Sequence, residues 1–141
     1  MPGKFELSML QAKADIFIAK AAIDEAKVNT PKEAKYIKGL AGYHLQQAVE
    51  KLVKIQLYFS NKDIDPAKVY KHKIDQLLAY ASSKNISIII PDYIEHHAVT
   101  ISSWEAEGRY NLHFVVKINQ LEKCYDEVIN WYDELKQMGY Q

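Results

Sequence analysis

A single cysteine, Cys124, excludes an internal disulfide framework and a multi-cysteine metal site, and points to a reducing compartment. Proline and glycine are scarce, four and five in 141 residues, so the chain has little punctuation for many short strands joined by turns and favours a few long elements. Net charge is absent as well. Eighteen basic side chains balance eighteen acidic ones, which excludes a global field drawing the protein onto nucleic acid or an anionic membrane and leaves any such contact local. No apolar run reaches the roughly eighteen residues of a membrane span. The start, Met1-Pro2-Gly3-Lys4, has no hydrophobic stretch of the signal type, so a cytoplasmic protein without membrane contact is expected. Arginine is nearly missing too: Arg109 stands alone among lysines.

What is present is a chain 48% apolar and 11% aromatic, enough for one core, so residues 1–141 are expected to form a single all-α domain. Ser8, with Gln11 three residues on, predicts a first helix from Ser8 to Val28, its inner stripe Leu7, Leu10, Ala14, Phe17, Ala21 and Val28. Thr30-Pro31-Lys32-Glu33 is the strongest local signal: a cap, a proline at the first helical position and a glutamate after it. The long second helix that follows carries Ile37, Leu40, His44, Ala48, Leu52, Ile55 and Phe59 on one row and Ala41, Leu45, Val49 and Val53 on the next. Its Gly39 and Gly42 allow a bend or the close approach of a neighbour. Asp65-Pro66 predicts a short turn before a third helix over 72–83. Ile86-Ser87-Ile88-Ile89-Ile90 has strand propensity but no strand to pair with, so an extended connection over the core is expected. A fourth helix, capped by Asp92 and Glu95, turns Ile94, Ala98, Ile101 and Trp104 inward until Gly108 breaks the pattern. A fifth runs from Asn111 to Met138 with a heptad-like seam of Phe114, Ile118, Leu121, Tyr125, Val128, Tyr132 and Leu135. Val115, Val116, Cys124 and Trp131 widen that helix beyond one stripe, which suits a homodimer interface.

Two constellations carry chemistry. Arg109, with its planar fork of donors, precedes His113 by four residues. If both stand at the start of the fifth helix, free backbone N–H groups and the helix dipole favour a phosphate there. On RNA, His113 would serve as the base toward a 2′-hydroxyl and Arg109 would stabilise the phosphoryl charge, with no metal or other cofactor. The second constellation is His44, Gln47, Lys51 and Lys54 at helical spacing, with Glu50 between them. The adjacent His96 and His97 project about 100° apart on a helix and chelate poorly together, so no metal site is expected.

Three segments resemble the HEPN domain (higher eukaryotes and prokaryotes nucleotide-binding): His44-Leu45-Gln46-Gln47-Ala48-Val49-Glu50-Lys51-Leu52-Val53-Lys54, Lys71-His72-Lys73-Ile74 with Leu77, and Trp104-Glu105-Ala106-Glu107-Gly108-Arg109-Tyr110. The resemblance implies an up-and-down four-helix bundle with one additional short helix, five in all. It also implies a dimer, often paired with a nucleotidyltransferase in a toxin–antitoxin type system. The leading expectation is that such a dimer binds a nucleotide, an RNA phosphate or the nucleotidyltransferase partner through Arg109, Tyr110, His72, Lys51, Lys54 and His44. Three residues separate Arg109 from His113 where the family's ribonucleases have four to six, and tyrosine follows the arginine. That pattern resembles the nucleotidyltransferase-associated members. A metal-independent endoribonuclease using Arg109 and His113, and a purely structural interaction module, are the alternatives.

Overall fold

Thr30 and Pro31 start the helix on which the others pack. Thr30 Oγ1 accepts the Glu33 N–H at 3.4 Å, Pro31 fills the first helical position, and α2 (Pro31–Tyr58) then runs for 28 residues. The computed structural model describes residues 7–110 and 116–141, with the backbone alone over 107–110. The protein is all-α. Besides α2, its helices are α1 (Met9–Lys27), α3 (Pro66–Val69), α4 (Ile74–Ser83), α5 (Asp92–His96), α6 (Ala98–Tyr110) and α7 (Ile118–Gln137), and no strand occurs among the described residues.

α1, α4, α6 and α7 all pack on α2, whose Ala41, Leu45, Ala48, Val49, Leu52, Val53, Ile55 and Leu57 are buried. Burial on nearly every side is what both of its predicted rows require together. In the first row Leu40 and Phe59 stay exposed, and Ile37 is partly buried against the core. Gly42 admits the close neighbour: a Cβ there would lie 3.4 Å from Trp104 of α6. Asn61, at φ 63°, turns the chain out of α2, and Asn85, at φ 58°, does the same after α4, since asparagine tolerates the left-handed region.

Helix α1 corrects an expectation. The stripe that faces α2 is Met9, Ala12, Asp15, Ile16, Ala19, Ala22, Ile23 and Ala26, whereas Leu10 (69% exposed), Phe17 (73%) and Val28 (78%) look outward. Both stripes have helical period. The buried one is lined with alanines, which let the helix axes approach, and it carries Asp15 to partners on α2.

The expected fourth helix is two. α5 ends at His96, and His97, at φ −105° and ψ 17°, breaks the run before α6. The imidazoles of His96 and His97 donate from Nδ1 to the carbonyls of Asp92 (2.9 Å) and Tyr93 (2.8 Å), which competes with the helical ladder at that point. Pro91, with no side-chain cap, precedes α5, so Asp92 is the first helical residue and not the cap. The inward set Ile94, Ala98, Ile101 and Trp104 is buried as expected. Gly108 does not end the helix: α6 continues to Tyr110, since one glycine costs a helix only about 1 kcal/mol. The fifth predicted helix starts later, at Ile118, because Lys117 is extended (φ −85°, ψ 144°). Its residues 111–115, Phe114 and Val115 among them, lie outside the described part. From Leu121 on the seam is as expected, and Cys124 and Trp131 are buried within the same chain. Val116 is buried in the same way, so three of the four residues that widen the seam pack within the chain, and the fourth, Val115, lies outside the described part.

The isoleucine-rich segment 86–90 is neither helix nor strand, and its Ile86, Ile88, Ile89 and Ile90 pack against the core. Gln56, buried in α2, does a strand's work: its Oε1 accepts the Ile89 N–H at 2.7 Å and its Nε2 donates to the Ile89 carbonyl at 2.9 Å. Trp131 Nε1 donates to the same carbonyl at 2.7 Å. One side-chain amide thus satisfies both backbone groups of a segment that has no ladder. Gln56→Leu should cost about 1–3 kcal/mol, because the partly buried Ile89 N–H loses its acceptor. Urea unfolding of the variant, with an unchanged m-value, would measure that cost, and a wild-type midpoint would count against the clasp.

Candidate functional site

α2 carries a polar band across its middle, and two carboxylates organise it. Asp15 reaches over from α1, 8% exposed, and accepts from His44 Nδ1 at 2.8 Å and from Lys51 Nζ. Glu50, 5% exposed, accepts from Lys54 Nζ at 2.7 Å, from Gln46 Nε2 at 3.0 Å, and from His72 Nδ1 at 3.2 Å on each oxygen. Gln46 also donates to the His72 carbonyl at 2.9 Å, and Gln47 donates to Gln46 Oε1 at 2.8 Å. Helical spacing explains the set. Gln46, Glu50 and Lys54 fall four apart on one row, while His44, Gln47, Lys51 and Lys54 climb by threes and fours on the next, so Lys54 joins the two.

The arrangement orders its cations. A carboxylate that accepts from Nδ1 fixes the imidazole tautomer and leaves Nε2 as the free nitrogen. In His72 that ring is 58% exposed, so Nε2 is open to a ligand or a proton. His44, Lys51 and Lys54 are mostly covered and are held at the rim by short, charge-assisted bonds. Such a set can donate to phosphoryl oxygens.

The band brings together four of the expected residues, His44 with Lys51 and His72 with Lys54. Arg109 and Tyr110 stand elsewhere in the fold. α6 passes Ile74, whose N–H donates to Ser102 Oγ at 2.8 Å, then packs Trp104 at Gly42, and ends with Arg109 and Tyr110 in its last turn. Since Ile89 lies beside Gln56 and Trp104 beside Gly42, α6 runs back along α2 and carries Arg109 toward the N-terminal half of that helix. Arg109 thus lies in the last turn of α6 and not at a helix start, and the dipole at that end favours a cation. His113 lies outside the described residues.

Asp15 was not among the expected site residues. Its signal was a lone acid at the helical spacing of Ala12, Ile16 and Ala19, and the wrong choice of stripe hid it. Among the described residues no group of three His, Cys, Asp or Glu is placed to hold a metal ion. Cys124 is buried, and burial pushes its thiol up to about 12, so it is no nucleophile at neutral pH. No helix among the described residues is long and apolar enough to cross a membrane. No family model, curated protein or solved structure matches the chain.

Replacing Glu50 by Leu should cost about 1–3 kcal/mol, below the usual toll for breaking a buried pair because Lys54 and His72 can turn to water. Glu50→Gln, which keeps an acceptor, should cost less. Chemical denaturation of the two variants would rank them, and equal stability in all three proteins would show that the network holds nothing.

Proposed function

We propose that the protein binds the phosphate of a nucleotide or RNA on the polar band of α2, through Lys51, Lys54, His44 and His72. The observation that carries this reading is Glu50: a carboxylate 5% exposed that holds Lys54 and an outward-facing His72 in fixed positions. Burying a charge is costly, and here it is spent on orienting donors at a surface. On the HEPN reading α1, α2, α6 and α7 would make up the four-helix bundle, and α3, α4 and α5 are then three further helices where the resemblance implies one. On the same reading the cellular partner is a nucleotidyltransferase, in a toxin–antitoxin type system.

A short fluorescein-labelled RNA should bind with an affinity that falls with salt by two to four counterions, a log–log slope of roughly −1.4 to −2.8. Lys51→Met combined with Lys54→Met should weaken it about tenfold or more, with the fold checked by circular dichroism. Arg109→Lys tests the arginine separately, through loss of its fork. Affinity unchanged in the double variant would sink the α2 site. Cleavage of the RNA in EDTA, lost in His113→Ala, would replace the binder with the ribonuclease.

The homodimer belongs to this reading as well, but through another face. Among the exposed apolar residues, Leu10, Phe17 and Val28 share the outer stripe of α1. Light scattering should give about twice the 16.3 kDa of one chain, and Phe17→Glu should return the monomer. A monomeric mass for the wild type at micromolar concentration would remove the dimer.

A further inference from the structure

Between Val69 and Ile74, both fully buried, four consecutive residues stand on the surface: Tyr70, Lys71, His72 and Lys73. Their backbone is held at both ends. Asp65 Oδ1 caps α3 through the Ala67 N–H at 3.0 Å, and the Asp65 N–H donates to Tyr80 Oη at 2.8 Å. The Tyr70 N–H closes the turn on the Pro66 carbonyl at 3.0 Å. On the far side Gln46 holds the His72 carbonyl, and Ser102 Oγ accepts the Ile74 N–H in place of the cap that Lys73 does not provide. Tyr70 is nevertheless 79% exposed. An aromatic side chain on a segment tied down in this way is a presented ring.

Lysines flank it, and acids lie near them: Asp75 lines a pocket with Lys73, and Glu50 accepts from His72. Among the described residues, no carboxylate pairs with Lys68, Lys71 or Lys73. Of the nearby acids, the carboxylate of Asp65 caps α3, and Asp75 lies past Ile74 in the first turn of α4. Lys68 and Lys71 line a cavity of about 460 Å³ together with Gln76, Tyr80 and Ser83, none of them acidic. The chain as a whole is neutral, so this basic strip is a local feature and not part of a general positive field.

We propose that the segment 68–73 is a platform for single-stranded nucleic acid: one base stacks on Tyr70, and the flanking phosphates lie against Lys68, Lys71 and Lys73. The inference rests on the reading of α2 as a phosphate site, since His72 belongs to both and a strand crossing Tyr70 continues onto Lys51 and Lys54. It adds the ligand's form. A π-face is reachable only in unpaired bases, and stacking with lysine contacts is how proteins hold single strands without reading sequence. With the backbone already held, little of the chain must be ordered when the base arrives.

The test uses the full-length protein, fluorescein-labelled oligo(U), and fluorescence anisotropy at low salt. Tyr70→Ala should lower affinity by about five- to a hundredfold, the range seen when a stacking aromatic is truncated. Tyr70→Phe should stay within about twofold, because the stack needs the ring and not the hydroxyl. An unlabelled duplex should compete poorly, and oligo(dT) should compete about as well as oligo(U), since the platform contacts base and phosphate only. Equal binding by Tyr70→Ala, or competition by duplex as strong as by single strand, overturns the platform. If binding then still depends on Lys51 and Lys54, the α2 site stands without it. If the wild type binds no oligonucleotide, both readings fall, and binding to anionic vesicles or acidic peptides in its place would reassign the strip.

Discussion

A helix buried on nearly all sides can carry polar residues only where a partner meets each of them, and α2 is such a helix. Gln46, Glu50 and Gln56 are all within a few per cent of full burial, and every one is hydrogen-bonded. Among the described residues no buried side-chain nitrogen or oxygen lacks a partner. Leaving even one unpaired would cost on the order of 1–3 kcal/mol, a large share of the few kcal/mol by which a domain of this size is stable. This requirement places much of what surrounds α2. Ile89 is clasped because Gln56 needs a donor and an acceptor, and the loop before α4 is drawn in because Gln46 and Glu50 need His72.

The same constraint links the fold to the candidate site. Asp15 and Glu50 are covered by packing, so solvent screens their attraction to Lys51, Lys54, His44 and His72 only weakly. The cations are thereby ordered before any ligand comes, and a ligand's binding need not include the cost of ordering them. At the surface lies the strip around Tyr70, tied at its His72 end to Gln46 of the buried network and at its other end to Asp65 and Tyr80. The interior satisfies its polar groups by reaching out to the loop, and the loop in turn presents an aromatic ring and unpaired lysines to solvent.

Most helix starts were legible because their chemistry is local. Ser8, Thr30 with Pro31, and Asp65 with Pro66 act within three or four residues of themselves, and each begins a helix where expected. The break at His97 and the late start of α7 were not legible. The first depends on two imidazoles choosing backbone carbonyls, and the second on an extended Lys117, neither of which hydrophobic spacing encodes. The strandless path of 86–90 was inferred by elimination, from the want of a second strand, yet its partner Gln56 lies 33 residues away and gave no sign of that role.

From its residues alone the chain determined an all-α protein with a long central helix, a seam on the last one, and His44, Lys51 and Lys54 on one helical face, because periods of three and four residues are set by backbone geometry. Tertiary structure decided which of two equally periodic stripes of α1 turns inward, and with it whether Asp15 meets His44 and Lys51. It also decided that Arg109 ends a helix instead of starting one, and that His72 joins Glu50 from 22 residues away. Such choices rest on which surfaces pack most closely and which buried charges find partners. Both are sums over the whole chain, and no local window of sequence contains them.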